Sequence, residues 1–156
     1  MGDGEPEVAV EPISARSLTA QELDLLAQSR EAAPTLWPLA KRGFVTEGFD
    51  PATGHPGLDV GVEPDAPVLA AGDGIVVAAG RHETYGNFIL LQHDARTTSL
   101  YAHNSVNFVA EGDWVERGDV VARSGNTGRS TAPHLHFEIR QGGKPVDPNR
   151  FLSSGQ

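Results

Sequence analysis

Cysteine is absent from this chain of 156 residues. Its absence excludes a disulfide framework and any thiolate metal site. Lysine is almost as scarce. Lys41 and Lys144 are the only two, and the net charge is -9. That balance argues against nucleic acid and against an anionic membrane surface as partners. No apolar run approaches the roughly 18 residues that a membrane span requires. No leader pattern is visible at the amino terminus, so the compartment is not read directly. Long helices are disfavoured by 18 glycines and 11 prolines, which punctuate the chain with turns. What is present is one domain of ordinary size, 38% apolar, with enough apolar side chain to bury a core.

Residues 1–17 are polar, carry several acids and include Pro6 and Pro12. They read as extended or disordered. A short helix is expected over 19–30. Thr19 is its N-cap with Glu22 three residues on, which is a capping box, and Leu18 with Leu23 fits the hydrophobic staple. Leu23, Leu26 and Ala27 supply one apolar face. The helix is expected to dock on the domain, the sharper alternative being that it covers a cleft. Pro34 and Pro38 around Trp37 break the helical pattern.

From Phe44 onward the pattern is that of β-strands, short runs of Val, Ile, Leu, Phe and Tyr between Gly and Asp. The runs are Asp59–Val62, Pro67–Ala70, Gly74–Ala78, Phe88–His93, Thr98–Ala102, Val120–Ala122 and Leu135–Ile139. Asp94-Ala95-Arg96 reads as a hairpin loop between two of them. Short strands with no helices between them predict a mainly β fold, an antiparallel sheet or sandwich with one short amino-terminal helix.

Pro133-His134-Leu135-His136-Phe137 places two histidines on one face of a strand, because alternate side chains share a face. Upstream, Gly54-His55-Pro56-Gly57-Leu58-Asp59 sets a carboxylate four residues after another histidine. Pro56 and Gly57 exclude a helical pairing, so His55 ends a loop and Asp59 opens a strand at one mouth of the sheet. Tyr101-Ala102-His103 adds a further imidazole. His55, Asp59 and one member of the His134/His136 pair make a three-ligand set suited to catalytic zinc. His103 and the remaining member of the pair are then the candidates for moving a proton and stabilising an oxyanion. No His-Glu-x-x-His helix is present to supply a glutamate base.

These motifs, in this order, resemble those of the lysostaphin/LytM-type zinc metalloendopeptidases, which cleave peptide cross-links of bacterial peptidoglycan. His55-Pro56-Gly57-Leu58-Asp59 matches that family's His-x-x-x-Asp, Tyr101-Ala102-His103 its Tyr-Ala-His, and His134-Leu135-His136 its His-x-His. Gly125-Asn126-Thr127-Gly128 with Pro133, and the Val115/Gly118 spacing, also fit. The resemblance covers roughly residues 36–152. It implies one zinc ion on His55, Asp59 and His136, and catalytic roles without metal ligation for His103 and His134. It implies a duplicated-hybrid-motif fold with a groove over the metal. It also implies a peptidoglycan peptide as substrate, and a periplasmic or extracellular location at the cell wall. Residues 1–35 then form an amino-terminal extension and residues 36–156 the metallopeptidase domain.

Some relatives in that family have lost ligands and act as activators of cell-wall amidases, but no motif residue is missing here. A non-catalytic wall-binding module is therefore the first rival. A lipoyl- or biotinyl-type carrier is the second. It needs a lysine at a hairpin tip, and Lys41 and Lys144 lie outside the β pattern. Among the other residues, His93 beside Asp94 reads as structural and His82 as plain surface in a polar loop. Glu138 shares the face of His136, where it either pairs with neighbouring charges or orients the ligand. Tyr85 and Asn126 are candidates for the groove wall.

Overall fold

The computed structural model describes residues 12–152. Short segments, most of them rich in apolar residues, form ten strands among the described residues. They are β1 Phe44–Glu47, β2 Leu58–Gly61, β3 Pro67–Leu69, β4 Gly74–His82 and β5 Gly86–Gln92, then β6 Thr97–Asn107, β7 Trp114–Val115, β8 Val120–Ser124, β9 His134–Gln141 and β10 Lys144–Val146. All pairings are antiparallel. The order across the sheet is β1-β2-β9-β6-β5-β4-β7, with β10 paired to β9 and the β3–β8 pair joined through β8 to β6. The fold is thus mainly β and antiparallel, as its sequence implies.

Alternate residues of the central strands feed two apolar clusters. Ile89, Leu91 and Tyr101 pack with Leu58, Val60, Leu135, Phe137 and Ile139 in the larger one. Phe88, Leu90, Leu100 and Ala102 pack with Val77 and Tyr85 in the smaller one. Burying one such side chain stabilises the fold by roughly 1.5–3 kcal/mol. The larger cluster is closed by loops and by the β3–β8 pair. The smaller is covered from outside by Ile13 and Leu18, and the Arg16 N–H donates to the Val77 carbonyl at 3.0 Å. Residues 12–18 are therefore extended and docked, while residues 1–11 lie outside the described residues.

The helix α1 spans Ala20–Gln28, two residues short of the expected end. Its capping box is formed: the Glu22 N–H donates to Thr19 Oγ1 at 3.1 Å and the Thr19 N–H to Glu22 Oε1 at 2.9 Å. Leu26 is buried, but Ala27 is exposed and Leu23 only half-buried, so the apolar face is narrower than its pattern implies. Asp73 anchors the segment that follows. Its Oδ2 accepts from Ser29 Oγ, its Oδ1 from the Arg117 N–H, and its own N–H donates to the Glu31 carbonyl. The end of the helix is thereby tied to the β fold.

Two polar side chains expected to be structural or surface groups are both tied in. His93 is buried, with Nδ1 donating to the Asp73 carbonyl at 2.8 Å and Nε2 accepting from Ser99 Oγ at 2.7 Å. Ser99 in turn meets Tyr101 OH at 2.8 Å. His82 ends β4 rather than lying in a plain surface loop. Its ring packs 5.0 Å from that of Tyr85, and its Nε2 donates to the Pro12 carbonyl at 3.1 Å. Lys144 also departs from expectation. It opens β10 beside the Gly142-Gly143 turn and so lies on the sheet.

Candidate metal centre

The register of three adjacent strands assembles the site. Asp59 on β2 lies opposite His136 on β9, and His136 lies opposite Ala102 on β6. Gly61 pairs with His134, so Asp59, His134 and His136 share one face. Gly57 permits this close approach. A Cβ there would run into the Phe137 carbonyl and the Glu138 side chain. His55 enters from the preceding loop, which is closed by reciprocal backbone hydrogen bonds between Asp50 and His55.

His103 reaches the same face by an irregularity. Strict alternation would send it with Tyr101 to the opposite side of the sheet. Instead it adopts a left-handed backbone, with φ 68, an unusual state for a residue other than glycine. Its N–H donates to the Tyr85 carbonyl at 2.7 Å, and its ring stands 4.8 Å from that of His134 and 6.1 Å from that of His136. Pairing slips on both sides of this point, between Asn87 and Ile89 against β5 and between Asn104 and Val106 against β8. A bulge re-aims the side chain.

One donor atom from each of His55, Asp59 and His136 lies within 4.8 Å of the others. His136 Nδ1 stands 2.6 Å from Asp59 Oδ1, and His55 Nε2 stands 3.0 Å from Asp59 Oδ2. The far nitrogen of each ring is already used: His55 Nδ1 donates to the Gly48 carbonyl at 2.8 Å, and His136 Nε2 donates to Glu138 Oε2 at 2.7 Å. Each imidazole thereby keeps one nitrogen for the cluster. Two such nitrogens and a carboxylate oxygen are a donor set that suits zinc, and three protein donors leave one position open. The donor chemistry of these side chains fits the ion.

The other two histidines are oriented by backbone carbonyls. His103 Nδ1 donates to Thr127 O at 2.6 Å and His134 Nδ1 to Ala132 O at 2.8 Å. Both Nε2 atoms are left as acceptors, and that of His134 lies 3.7 Å from Asp59 Oδ1. Burial pushes His103 down to about 4, against the Thr127 hydrogen bond, so its ring is neutral at neutral pH. His136 shows the reverse balance. Burial opposes its charge, but the hydrogen bonds and charges of Asp59 and Glu138 outweigh burial and raise it to about 9. Burial likewise works to raise Asp59, and the hydrogen bond from His136 with the surrounding imidazoles holds it below the usual carboxylate range.

All five residues singled out in the sequence meet here. Glu138 meets both Arg140 and His136, since its Oε1 accepts from Arg140 Nε at 2.8 Å while its Oε2 accepts from His136 Nε2 at 2.7 Å. Tyr85 lies beneath the site, its ring stacked 5.8 Å from that of His136, rather than in an open groove wall. Asn126 is exposed on the Gly125–Pro133 loop. Sequence reasoning passed over Arg140 and gave Thr127 no role beyond its place in the Gly125-Asn126-Thr127-Gly128 match. Arg140 was legible in principle, because His134, His136, Glu138 and Arg140 continue one period-two series on β9. Thr127 acts through its main-chain carbonyl, which no side-chain pattern reveals.

Comparison with known proteins agrees with this geometry. The profile of Peptidase family M23 matches residues 53–148. The chain is 35% identical over 136 residues to the peptidoglycan DD-endopeptidase ShyA of Vibrio cholerae, across 81% of this chain and 32% of that protein. It is also 35% identical over 147 residues to the murein hydrolase activator NlpD of Salmonella dublin, across 93% of this chain and 39% of that protein. The chain thus spans about a third of the length of these curated relatives. Among solved structures, a zinc-containing peptidase from Vibrio cholerae superposes with a TM-score of 0.69 at 36% identity, covering 75% of this chain and 39% of that one. The antimicrobial peptidase lysostaphin from Staphylococcus simulans superposes with a TM-score of 0.68 at 31% identity, covering 81% and 55%. With the family profile spanning most of its length, the chain belongs to peptidase family M23.

Proposed function

We propose that this chain is a zinc-dependent endopeptidase domain that hydrolyses peptide cross-links or stem peptides of bacterial peptidoglycan. The observation that carries the reading is the convergence of His55, Asp59 and His136, with one donor atom from each within 4.8 Å of the others. Relatives named as a peptidoglycan DD-endopeptidase and a zinc-containing peptidase support it. Action on the wall implies a periplasmic or extracellular location. Among the described residues no helix is long and apolar enough to cross a membrane.

His55 Nε2, Asp59 and His136 Nδ1 would hold the zinc ion, which supplies Lewis-acid polarisation of the scissile carbonyl and of a water. His103 and His134 then act as the proton-handling pair. Their Nδ1 atoms are fixed on carbonyls, so their Nε2 atoms present lone pairs toward the cluster. Either can accept a proton from the attacking water. The imidazolium so formed becomes a donor, able to hold the developing oxyanion and to return the proton to the leaving amine. Asp59 stays ionised among the imidazoles and keeps the group's charge balanced.

The activator relative NlpD gives the rival reading, a wall-binding module that stimulates another hydrolase without itself cutting. Metal content tests the first requirement of the endopeptidase reading. The wild-type chain should carry about one zinc per molecule with nitrogen ligands at roughly 2.0–2.1 Å. Asp59→Ala should lose the metal and any hydrolysis together. Full zinc occupancy in that variant would remove Asp59 from the ligand set.

A further inference from the structure

Three donors suffice for the cluster, yet a further side chain, an acidic one, lies sealed at its edge. Glu138 is 0% exposed. Burying a carboxylate is costly unless both oxygens are well partnered, and the use of each oxygen is informative. Oε1 accepts from Arg140 Nε at 2.8 Å, which balances the charge. Oε2 accepts from His136 Nε2 at 2.7 Å and from Tyr85 OH at 3.1 Å. Arg140 Nη2 donates back to Tyr85 OH at 3.1 Å, closing the set. The Tyr85 ring meanwhile lies against the face of His136, 5.8 Å away and inclined by only 17°. The imidazole of His136 is therefore held by its edge and by one face at once.

We infer that Glu138, braced by Tyr85 and Arg140, is a positioning residue that fixes the ring of His136 with Nδ1 directed at Asp59 and the metal. A ring flip would break the bond to Oε2 and turn a carbon toward Asp59. An ion pair serving Arg140 alone would need neither the second oxygen nor the tyrosine hydroxyl. Partners of this kind orient a ligating imidazole and raise its basicity, and their loss weakens metal affinity by roughly 10–100-fold. The inference rests on the metal reading proposed above.

Cobalt(II) titration of the metal-free chain, followed by its visible d–d bands, tests it. Wild type, Glu138→Gln, Tyr85→Phe and Leu91→Ala are compared, with melting temperature recorded for each. Leu91 is buried in the larger cluster, away from the site, and serves as a purely structural control. Glu138→Gln should bind cobalt roughly 10–100-fold more weakly, with altered band intensities. Tyr85→Phe should lose affinity in the same direction by less. Leu91→Ala should lose melting temperature but keep the wild-type affinity and spectrum. Unchanged affinity and spectrum in Glu138→Gln overturn the inference while leaving the metal reading intact. A wild-type chain that takes up no cobalt overturns both. If Glu138→Gln does not fold, Tyr85→Phe decides: weakened binding supports the inference and wild-type binding overturns it.

Discussion

At the scale of single residues, the histidines divide by what the free ring nitrogen of each faces. His55 and His136 offer donors to the cluster, and His103 and His134 offer acceptors beside it. Loss of the second pair should therefore separate catalysis from metal binding. His103→Ala and His134→Ala should each retain zinc and lose roughly 10²–10⁴-fold in rate, the range of positioned acid–base groups. The double variant should lose less than the product of the two, since both serve one proton and one oxyanion. If zinc is lost with His134→Ala and kept with His136→Ala, the roles within the pair are reversed. His93 carries a prediction about stability. Burial holds it down to about 4, against hydrogen bonding to Asp73 and the nearby acids. Between that value and its ordinary 6.5 only the unfolded chain takes up the proton. The stability it contributes is thus complete above about 6.5 and is lost as pH falls toward 4. The loss is on the order of 3 kcal/mol. Denaturant midpoints for wild type and His93→Gln across this window measure it, and equal slopes would count against it.

At the scale of elements, the site is a matter of register. Asp59 meets His136 only because β2 approaches β9 without a side chain at residue 57. Gly57→Ala should force that approach open, at a cost of roughly 1–3 kcal/mol as for other overpacked positions. It should also weaken zinc binding, although it touches no ligand. A normal zinc titration with wild-type stability would contradict this. Register also explains what the sequence could and could not reveal. The central strands β4, β5 and β6 were legible as short apolar runs, because their two faces feed the two apolar clusters. β1 and β7 were not, since one is fully exposed and the other only two residues long. The carboxylate and the His134/His136 pair were legible because strand periodicity governs them. The placement of His103 was not, because a single left-handed residue reverses the periodicity that would have been used to place it. Docking of residues 12–18 was equally hidden. Ile13 and Leu18 are too few to form a pattern, and a main-chain hydrogen bond from Arg16 to Val77 holds the segment in place.

At the scale of the whole molecule, one antiparallel sheet divides the labour between its faces. One face builds the larger core, and the other carries the smaller cluster with Tyr85 and Ala102 at the margin of the histidine group. The net charge of -9 supplies no obvious attraction for anionic wall polymers. On the proposed reading, recognition of the wall then rests on short-range contacts rather than on net charge. The central claim is that this domain cuts a peptide bond in peptidoglycan with the help of zinc. Digestion of purified peptidoglycan by the zinc-loaded chain, with the products identified by mass, tests that most directly. The account predicts new peptide ends in the digest, abolished by chelation, restored by zinc and absent with Asp59→Ala. A zinc-loaded, folded chain that leaves every peptide bond of the wall intact, while stimulating a separate hydrolase, would contradict it.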